Sequence, residues 1–121
     1  MAIIHQVGLT GREHFLARAL PHGDQRKLEI ALLLATDPDV LLLDEPTAGM
    51  ASGEIPMLVD LIRRLRKEGG RTILLVEHKM DVVMNLSDRI TVMHQGHVLA
   101  EGTPTEISAD ERVQQAYLGE L

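Results

Sequence analysis

Two short apolar runs, each ending on charged residues, constrain most strongly what this chain can fold into. Val40–Leu43 is followed at once by Asp44-Glu45, and Thr72–Val76 is followed at once by Glu77-His78. A continuous apolar run of this length is typical of a parallel strand that is buried on both faces. Ligands of open α/β sheets bind beyond the carboxyl ends of the strands. The sequence therefore predicts an acid–acid pair and an acid–imidazole pair at one edge of a largely parallel sheet.

Composition narrows the class of protein. The 121 residues suffice for one domain, and the absence of cysteine excludes disulfides and thiolate metal sites. A net charge of −6 argues against nucleic acid as a partner. No apolar run approaches the roughly 20 residues of a membrane span, and no basic stretch introduces a secretory signal. We expect a soluble, cytoplasmic, mixed α/β domain.

Helical periodicity predicts helices around the two strands. In the first long helix, Leu28, Ala31, Leu32 and Ala35 fall on one face at helical spacing. Strands that alternate with helices imply βαβ units. The predicted helical segments are short pieces within Ala2–Leu20, Gly23–Ala35, a helix capped by Ser52 and running to about Lys67, Lys79–Asn85, and Asp110–Leu118.

Turn signals mark the last third of the chain. Gln95-Gly96 separates two short apolar runs and predicts a two-residue hairpin turn. Thr103-Pro104-Thr105-Glu106 has the spacing of a capping box, with proline at the first helical position. A hairpin followed by a capped helix is expected there.

The residues at the strand ends allow two interpretations. Asp44 and Glu45 suit a hard cation such as Mg²⁺ and the polarisation of a water molecule. Alternatively, the two carboxylates only cap the next turn, which Pro46 enforces. For His78 alone, a structural or surface histidine is the competing interpretation.

The order of the motifs resembles the ATP-binding subunits of ABC transporters over essentially the whole chain. The three motifs are Leu20-Pro21-His22-Gly23-Asp24-Gln25-Arg26 before a helix, the strand ending in Asp44-Glu45-Pro46-Thr47, and Val76-Glu77-His78 about thirty residues later. Further details resemble the importers of branched-chain amino acids, although importers of urea and other small solutes look similar. These details are Leu28–Ala31, Ala48-Gly49-Met50, Glu77–Asp81 and Tyr117-Leu118-Gly119.

The resemblance implies a P-loop NTPase-like fold: a mostly parallel sheet, flanking helices and a C-terminal hairpin. It implies that Asp44 supports Mg²⁺, through water, and that Glu45 and His78 are catalytic. It assigns Pro21, His22, Gly23 and Gln25 to the signature motif, which faces the nucleotide of a partner subunit. The family's usual serine and first glycine are replaced by Pro21 and His22, and the usual aspartate is missing from Ala48–Ala51.

The resemblance further implies ATP and Mg²⁺ as cofactors, a second ATP-binding subunit and membrane permease subunits as partners, and a place on the inner face of the cell membrane. No partner nucleic acid is expected. Residues 1–36 would be the end of the helical subdomain and residues 37–121 the C-terminal part of the catalytic core, together one partial domain.

One part of the family's site is missing from the sequence. Phosphate binding needs the loop G-x-x-x-x-G-K-[ST] after a first strand, and no glycine of this chain is followed by lysine. The phosphate-loop strand, the glutamine loop and the adenine-stacking aromatic are absent as well. We therefore expect a marginal monomer that self-associates, or a structure that keeps the parent arrangement around a void. We also expect the chain alone to bind ATP weakly or not at all and not to hydrolyse it.

Three functions remain open at this point. The chain is a portion of an ATP-hydrolysing import subunit, a non-enzymatic interaction module that docks on an intact ABC ATPase, or an unrelated Mg²⁺-dependent phosphohydrolase that uses Asp44, Glu45 and Glu77. The transported solute cannot be named from this sequence.

Overall fold

The computed structural model describes residues 2–117 and divides the chain after Val76 into two units. The first unit contains helix α1 (Ala2–Gln6), a 3-10 helix (Ala17–Ala19), helix α2 (His22–Leu34), strand β1 (Val40–Asp44), helix α3 (Ile55–Glu68) and strand β2 (Thr72–Val76). The second unit contains helix α4 (Met80–Leu86), strands β3 (Ile90–His94) and β4 (His97–Gly102), and helices α5 (Pro104–Ala109) and α6 (Glu111–Ala116).

The two predicted strands pair in parallel. β1 and β2 align so that Leu42 is opposite Leu74 and Asp44 is opposite Val76. The predicted parallel arrangement with a C-terminal hairpin is therefore present. The division after Val76 separates two compact units of the chain. It does not test the predicted boundary between the helical subdomain and the catalytic core at residues 36 and 37, which stays a prediction.

The prediction that β1 is buried on both faces is wrong for this chain. Leu41 and Leu43 are buried, whereas Val40 and Leu42 are 55% and 66% exposed. The strand therefore alternates between a covered and an open face. A continuous apolar run indicates two covering layers, but the described residues provide only one.

Helix α2 begins within one residue of its predicted start, but its buried face differs from the predicted one. Ile30, Ala31 and Leu34 are buried, whereas Leu32 is 66% exposed. Because residues 30–35 are all apolar, helical spacing alone does not show which of two adjacent faces of the helix is buried.

Helix α3 begins later than predicted, and Ser52 does not cap it. The helix starts at Ile55, after Glu54, and its last turn ends at Gly69, whose φ of 71° suits glycine. A helix capped by Ser52 would place Pro56 where an intrahelical N–H is needed. Proline is tolerated in the first turn, so Pro56 sets the later start. The predicted inward residues, Leu58, Leu61, Ile62 and Leu65, are all buried.

The second unit closes around its own core. The hairpin turn has positive φ at both Gln95 and Gly96, as a two-residue type I′ turn requires. The Thr103 side chain accepts from the Glu106 N–H and the Glu106 carboxylate accepts from the Thr103 N–H, so the predicted capping box is confirmed. Helix α6 ends at Ala116; Leu118 and Gly119, which figured in two predictions, lie outside the described residues.

Hydrogen bonds at two helix starts of this unit shift the pKa of two carboxyl groups, those of Glu106 and Asp110. The backbone N–H of Thr103, then its side chain, lower the pKa of Glu106. The Arg112 side chain lowers the pKa of Asp110, and Asp110 raises the pKa of Arg112. The same Asp110 accepts from the Arg112 N–H at the start of α6. Both carboxylates thus hold helix starts in their charged form.

Candidate functional site

The carboxyl end of β1 carries Asp44 and Glu45 in different backbone conformations. Asp44 is the last strand residue and is exposed. Glu45 follows with a φ of 46°, in the left-handed region, and its N–H donates to the Val76 carbonyl at 2.7 Å. A left-handed backbone at a residue other than glycine costs on the order of 1–2 kcal/mol and is concentrated at functional sites. The bond to β2 holds Glu45 in this conformation.

A tight turn follows the two carboxylates. The Ala48 N–H donates to the Glu45 carbonyl at 3.0 Å, and the Met50 N–H donates to the Thr47 carbonyl at 3.1 Å. Thr47 is fully buried, and Gly49 has a φ of 75°. The turn is therefore fixed by its own backbone bonds and by a buried anchor.

The predicted signature residues lie at the start of α2. Pro21 is the residue before the first helical turn and provides no side-chain cap. The Gln25 side chain donates through Nε2 to the carbonyls of Ala17 and Leu20, at 3.1 and 3.3 Å. Gln25 thus braces the chain that enters the helix; its assignment to nucleotide binding stays a prediction.

The structure brings this helix start against the turn that follows Glu45. A Cβ added at Gly49 would lie 3.3 Å from His22 Nε2, and one added at Gly23 would lie 3.3 Å from the carboxyl group of Glu54. Glycine at both positions allows this close approach. The Glu54 carboxylate in turn accepts from the Ala51 N–H at 3.1 Å.

Arg26 joins the two segments directly and was missed by sequence reasoning. Its guanidinium donates to the Ala48 carbonyl at 3.0 Å and to Glu29 at 3.1 Å, and its buried Nε has no acceptor among the described residues. Its spacing of four from His22 places both on one helix face and is the signal that could have identified it. No comparable signal pointed to Glu54.

Glu77 and His78 open the second unit. The Glu77 side chain is fully buried, whereas the His78 side chain is 65% exposed. The Glu77 carboxylate accepts from the His78 backbone N–H at 3.2 Å and lies 3.7 Å from His78 Nδ1. The buried carboxylate therefore orients the backbone that presents the histidine.

Asp44 is chemically suited to a hard cation, because an exposed carboxylate at a strand end can offer oxygen to Mg²⁺ and its waters. Within residues 2–117, no group of three or more histidine, cysteine, aspartate or glutamate side chains is placed to hold a metal ion. The residues present fit a single magnesium ligand at Asp44. They do not fit a cradle for the phosphates, since the sequence has no glycine–lysine pair.

Comparison with known proteins identifies the family. A family model described as "ABC transporter" matches residues 1–48, and one described as "Branched-chain amino acid ATP-binding cassette transporter" matches residues 97–120. This chain belongs to the ABC transporter ATP-binding subunits. It corresponds to their C-terminal half and has their P-loop NTPase-like fold.

Two relatives and one solved structure give the scale of the similarity. The high-affinity branched-chain amino acid transport ATP-binding protein LivG of Salmonella typhimurium is 48% identical over 97% of this chain and 46% of its own length. The corresponding protein BraF of Pseudomonas aeruginosa is 46% identical over the same shares. The ADP conformation of MJ1267, an ATP-binding cassette of an ABC transporter, matches with a TM-score of 0.85 and 30% identity, over 98% of this chain and 48% of that one. The chain thus spans about half the length of these relatives.

Among the described residues, no helix is both long and apolar enough to cross a membrane.

Proposed function

We propose that this chain forms the carboxylate-bearing half of an ATP-hydrolysing subunit that energises the import of branched-chain amino acids. The observation that carries the proposal is the end of β1. Asp44 and a left-handed Glu45 stand on a turn that Arg26 ties to the start of α2. The names of LivG and BraF support the substrate class. Importers of urea or another small solute are the alternative.

Each residue has a definite task in this proposal. Asp44 would hold Mg²⁺ through water, and the ion would supply the positive charge that neutralises the phosphates. Glu45 accepts a proton from the attacking water at its carboxylate, and His78 donates a hydrogen bond toward the phosphate. The N–H groups at the start of α2, at His22 and Gly23, address the nucleotide of a second ATP-binding subunit.

The partners follow from this division of tasks. A site whose helix start serves a neighbouring nucleotide requires two ATP-binding subunits. Permease subunits would hold the pair at the inner face of the cell membrane, with ATP and Mg²⁺ bound by the complete cassette. Arg26 would keep the helix start and the turn after Glu45 in one arrangement, because it bonds to the Ala48 carbonyl.

A chimeric subunit tests the proposal. The matched 117-residue region of Escherichia coli LivG, which is 47% identical, is replaced by this chain, and leucine uptake and ATP hydrolysis are measured. We expect both activities in the chimera. Glu45→Gln should lower hydrolysis about 10²–10⁴-fold, the usual contribution of a general base. Asp44→Asn should also lower hydrolysis and raise the Mg²⁺ concentration that half-maximal activity requires.

Asp39→Asn is the matched control, because Asp39 is an exposed carboxylate just before β1. Its activity should equal that of the unsubstituted chimera. A folded chimera whose leucine transport is unchanged by Glu45→Gln would overturn the role of Glu45. A folded chimera without any activity would overturn the proposed function.

A further inference from the structure

Two histidines lie opposite each other at the tip of the β3–β4 hairpin. His94 ends β3, His97 begins β4, and the two are register partners. The two residues between them, Gln95 and Gly96, both have positive φ and form the tight turn. Directly opposite residues of an antiparallel pair point to the same face, with Cβ atoms about 4.5–5.5 Å apart. The turn therefore presents two imidazoles side by side.

The packing of the second unit restrains one of the two rings. The His94 and Tyr117 rings meet edge to face, with centroids 5.9 Å apart and an angle of 83° between the ring planes. The Tyr117 hydroxyl donates to the Met93 carbonyl, so the tyrosine is tied to the residue before His94. A side chain that is already held loses less conformational freedom when it binds a ligand. His94 is thus partly preorganised.

Both imidazoles are accessible to a ligand. His94 and His97 are exposed, and within residues 2–117 neither ring makes a hydrogen bond or an ion pair. Histidine is the commonest metal ligand in proteins, and imidazole suits Zn²⁺, Ni²⁺ and Cu²⁺. A zinc ion lies roughly 2.0–2.1 Å from each histidine nitrogen that binds it. Two rings that project side by side from one face can therefore share one such ion.

We propose that His94 and His97 chelate one divalent transition-metal ion across the tip of the hairpin. In the part of the chain that the structure describes, no group of three or more histidine, cysteine, aspartate or glutamate side chains is placed to hold a metal ion. The pair therefore supplies two ligands, and water completes the coordination of the ion. Mg²⁺ prefers oxygen ligands, so this pair and Asp44 select different ions.

The bound ion would act as a clasp on the second unit, because it links β3 to β4 beside the turn. A ligand that binds the folded state more tightly than the unfolded state stabilises the fold. The competing interpretation is that His94 only packs on Tyr117 and that His97 only begins a strand. Metal binding that needs both histidines separates the two interpretations. Neither histidine takes part in the proposed function, so the inference does not depend on it.

Calorimetric titration of the untagged chain with Ni²⁺ at neutral pH tests the inference. We expect one Ni²⁺ per chain and tighter binding of Cu²⁺, the usual order for nitrogen ligands. His94→Asn and His97→Asn should each weaken Ni²⁺ binding at least about tenfold, because a single imidazole lacks a second ligand held at high effective concentration. Mg²⁺ in large excess should not compete.

His14→Asn is the matched control. His14 is exposed and belongs to the first unit, and its substitution should leave the Ni²⁺ affinity within about twofold. Saturating Ni²⁺ should raise the Tm of the parent chain and of His14→Asn by roughly 5 °C, but not that of His97→Asn. His97→Asn keeps the contact between His94 and Tyr117, so it distinguishes lost chelation from lost packing.

Four results would overturn the inference. They are no Ni²⁺ binding by the parent chain, an unchanged affinity in His97→Asn, equal weakening by His14→Asn, and one Ni²⁺ per two chains in light scattering. The last result would mean that the metal bridges two copies and is not chelated within one hairpin. A LivG chimera without transport would contradict the proposed function and leave this inference standing.

Discussion

The two units of this chain differ in how their cores are assembled, although both expose some apolar strand residues, such as Leu42 in the first and Val98 in the second. In the second unit, Ile90, Val92, Ala100, Ile107 and Val113 form one buried cluster, with Met80, Val83, Met84, Leu99 and Tyr117 packed against it. In the first unit, one face of the β1–β2 pair stays open. The second unit is made of a hairpin, the helix that directly precedes it and the two helices that directly follow it, so its packing partners are local in sequence. A parallel pair needs layers from distant parts of a chain.

The largest effect should separate two neighbouring leucines of β1. Leu41 is 1% exposed and Leu42 is 66% exposed. Leu41→Ala should destabilise the first unit by about 2–5 kcal/mol, because it removes buried methyl groups and leaves a cavity. Leu42→Ala should cost less than about 1 kcal/mol, the span of strand propensity. Urea unfolding of both variants measures the difference. Equal losses would mean that the open face is covered in solution.

A smaller effect is expected in the second unit. Thr103→Ala removes the side chain that caps α5 and should cost about 1 kcal/mol. Thr105→Ala, in the same helix and exposed, is the control and should change stability by a few tenths of a kcal/mol at most. The measurement is the urea midpoint of each variant. If the two variants have the same urea midpoint, the capping box does not contribute measurably to the stability of this unit.

Acid should destabilise the second unit through its caps. The folded-state pKa of Glu106 is lowered from its ordinary value of 4.5, chiefly by the Thr103 N–H. Its contribution to stability is therefore present above about pH 4.5 and is lost as the pH falls through the lowered pKa. The pKa of Asp110, lowered chiefly by Arg112, has the same sign from an ordinary value of 3.8.

Thermal melts between pH 6 and 3 check this prediction, since the capped unit should lose stability in the acid part of that range. Glu106→Gln cannot titrate and should show a smaller drop in Tm than the parent chain. Identical drops in Tm for the two proteins would show that protonation of Glu106 does not cause the loss of stability in acid.

The smallest effect is expected from nucleotide. Mg-ATP at sub-millimolar concentration should leave the Tm of the chain alone unchanged, because the sequence has no glycine–lysine phosphate loop. The first unit carries the carboxylates without that loop. Clear stabilisation by Mg-ATP would show that these residues bind nucleotide unaided.

Local signals predicted the second unit better than the first. The Gln95-Gly96 turn and the Thr103–Glu106 cap were both placed correctly, because their conformations depend on neighbouring residues. The burial of β1 was predicted wrongly. A continuous apolar run indicates that a strand has both faces covered in a complete sheet. The sequence pattern does not show whether the same chain provides the layers that cover those faces.

The sequence predicted that Asp44 and Glu45 lie at the end of a strand, but it did not predict the contacts around them. Asp44 and Glu45 follow from the strand that ends there. Arg26 was missed because its contact with the Ala48 carbonyl joins residues 22 positions apart. The left-handed backbone of Glu45 is likewise invisible in the sequence, since the bond to Val76 that accompanies it comes from the other strand.

ATP hydrolysis by the two cassette halves, separately and mixed, tests the central claim most directly. The claim is that this chain holds the carboxylates of an ATPase site and has no phosphate loop of its own. We expect no hydrolysis by either half alone, Mg²⁺-dependent hydrolysis by the mixture, and loss of that activity with Glu45→Gln. Hydrolysis by this chain alone, or a stable mixed complex without hydrolysis, would contradict the claim.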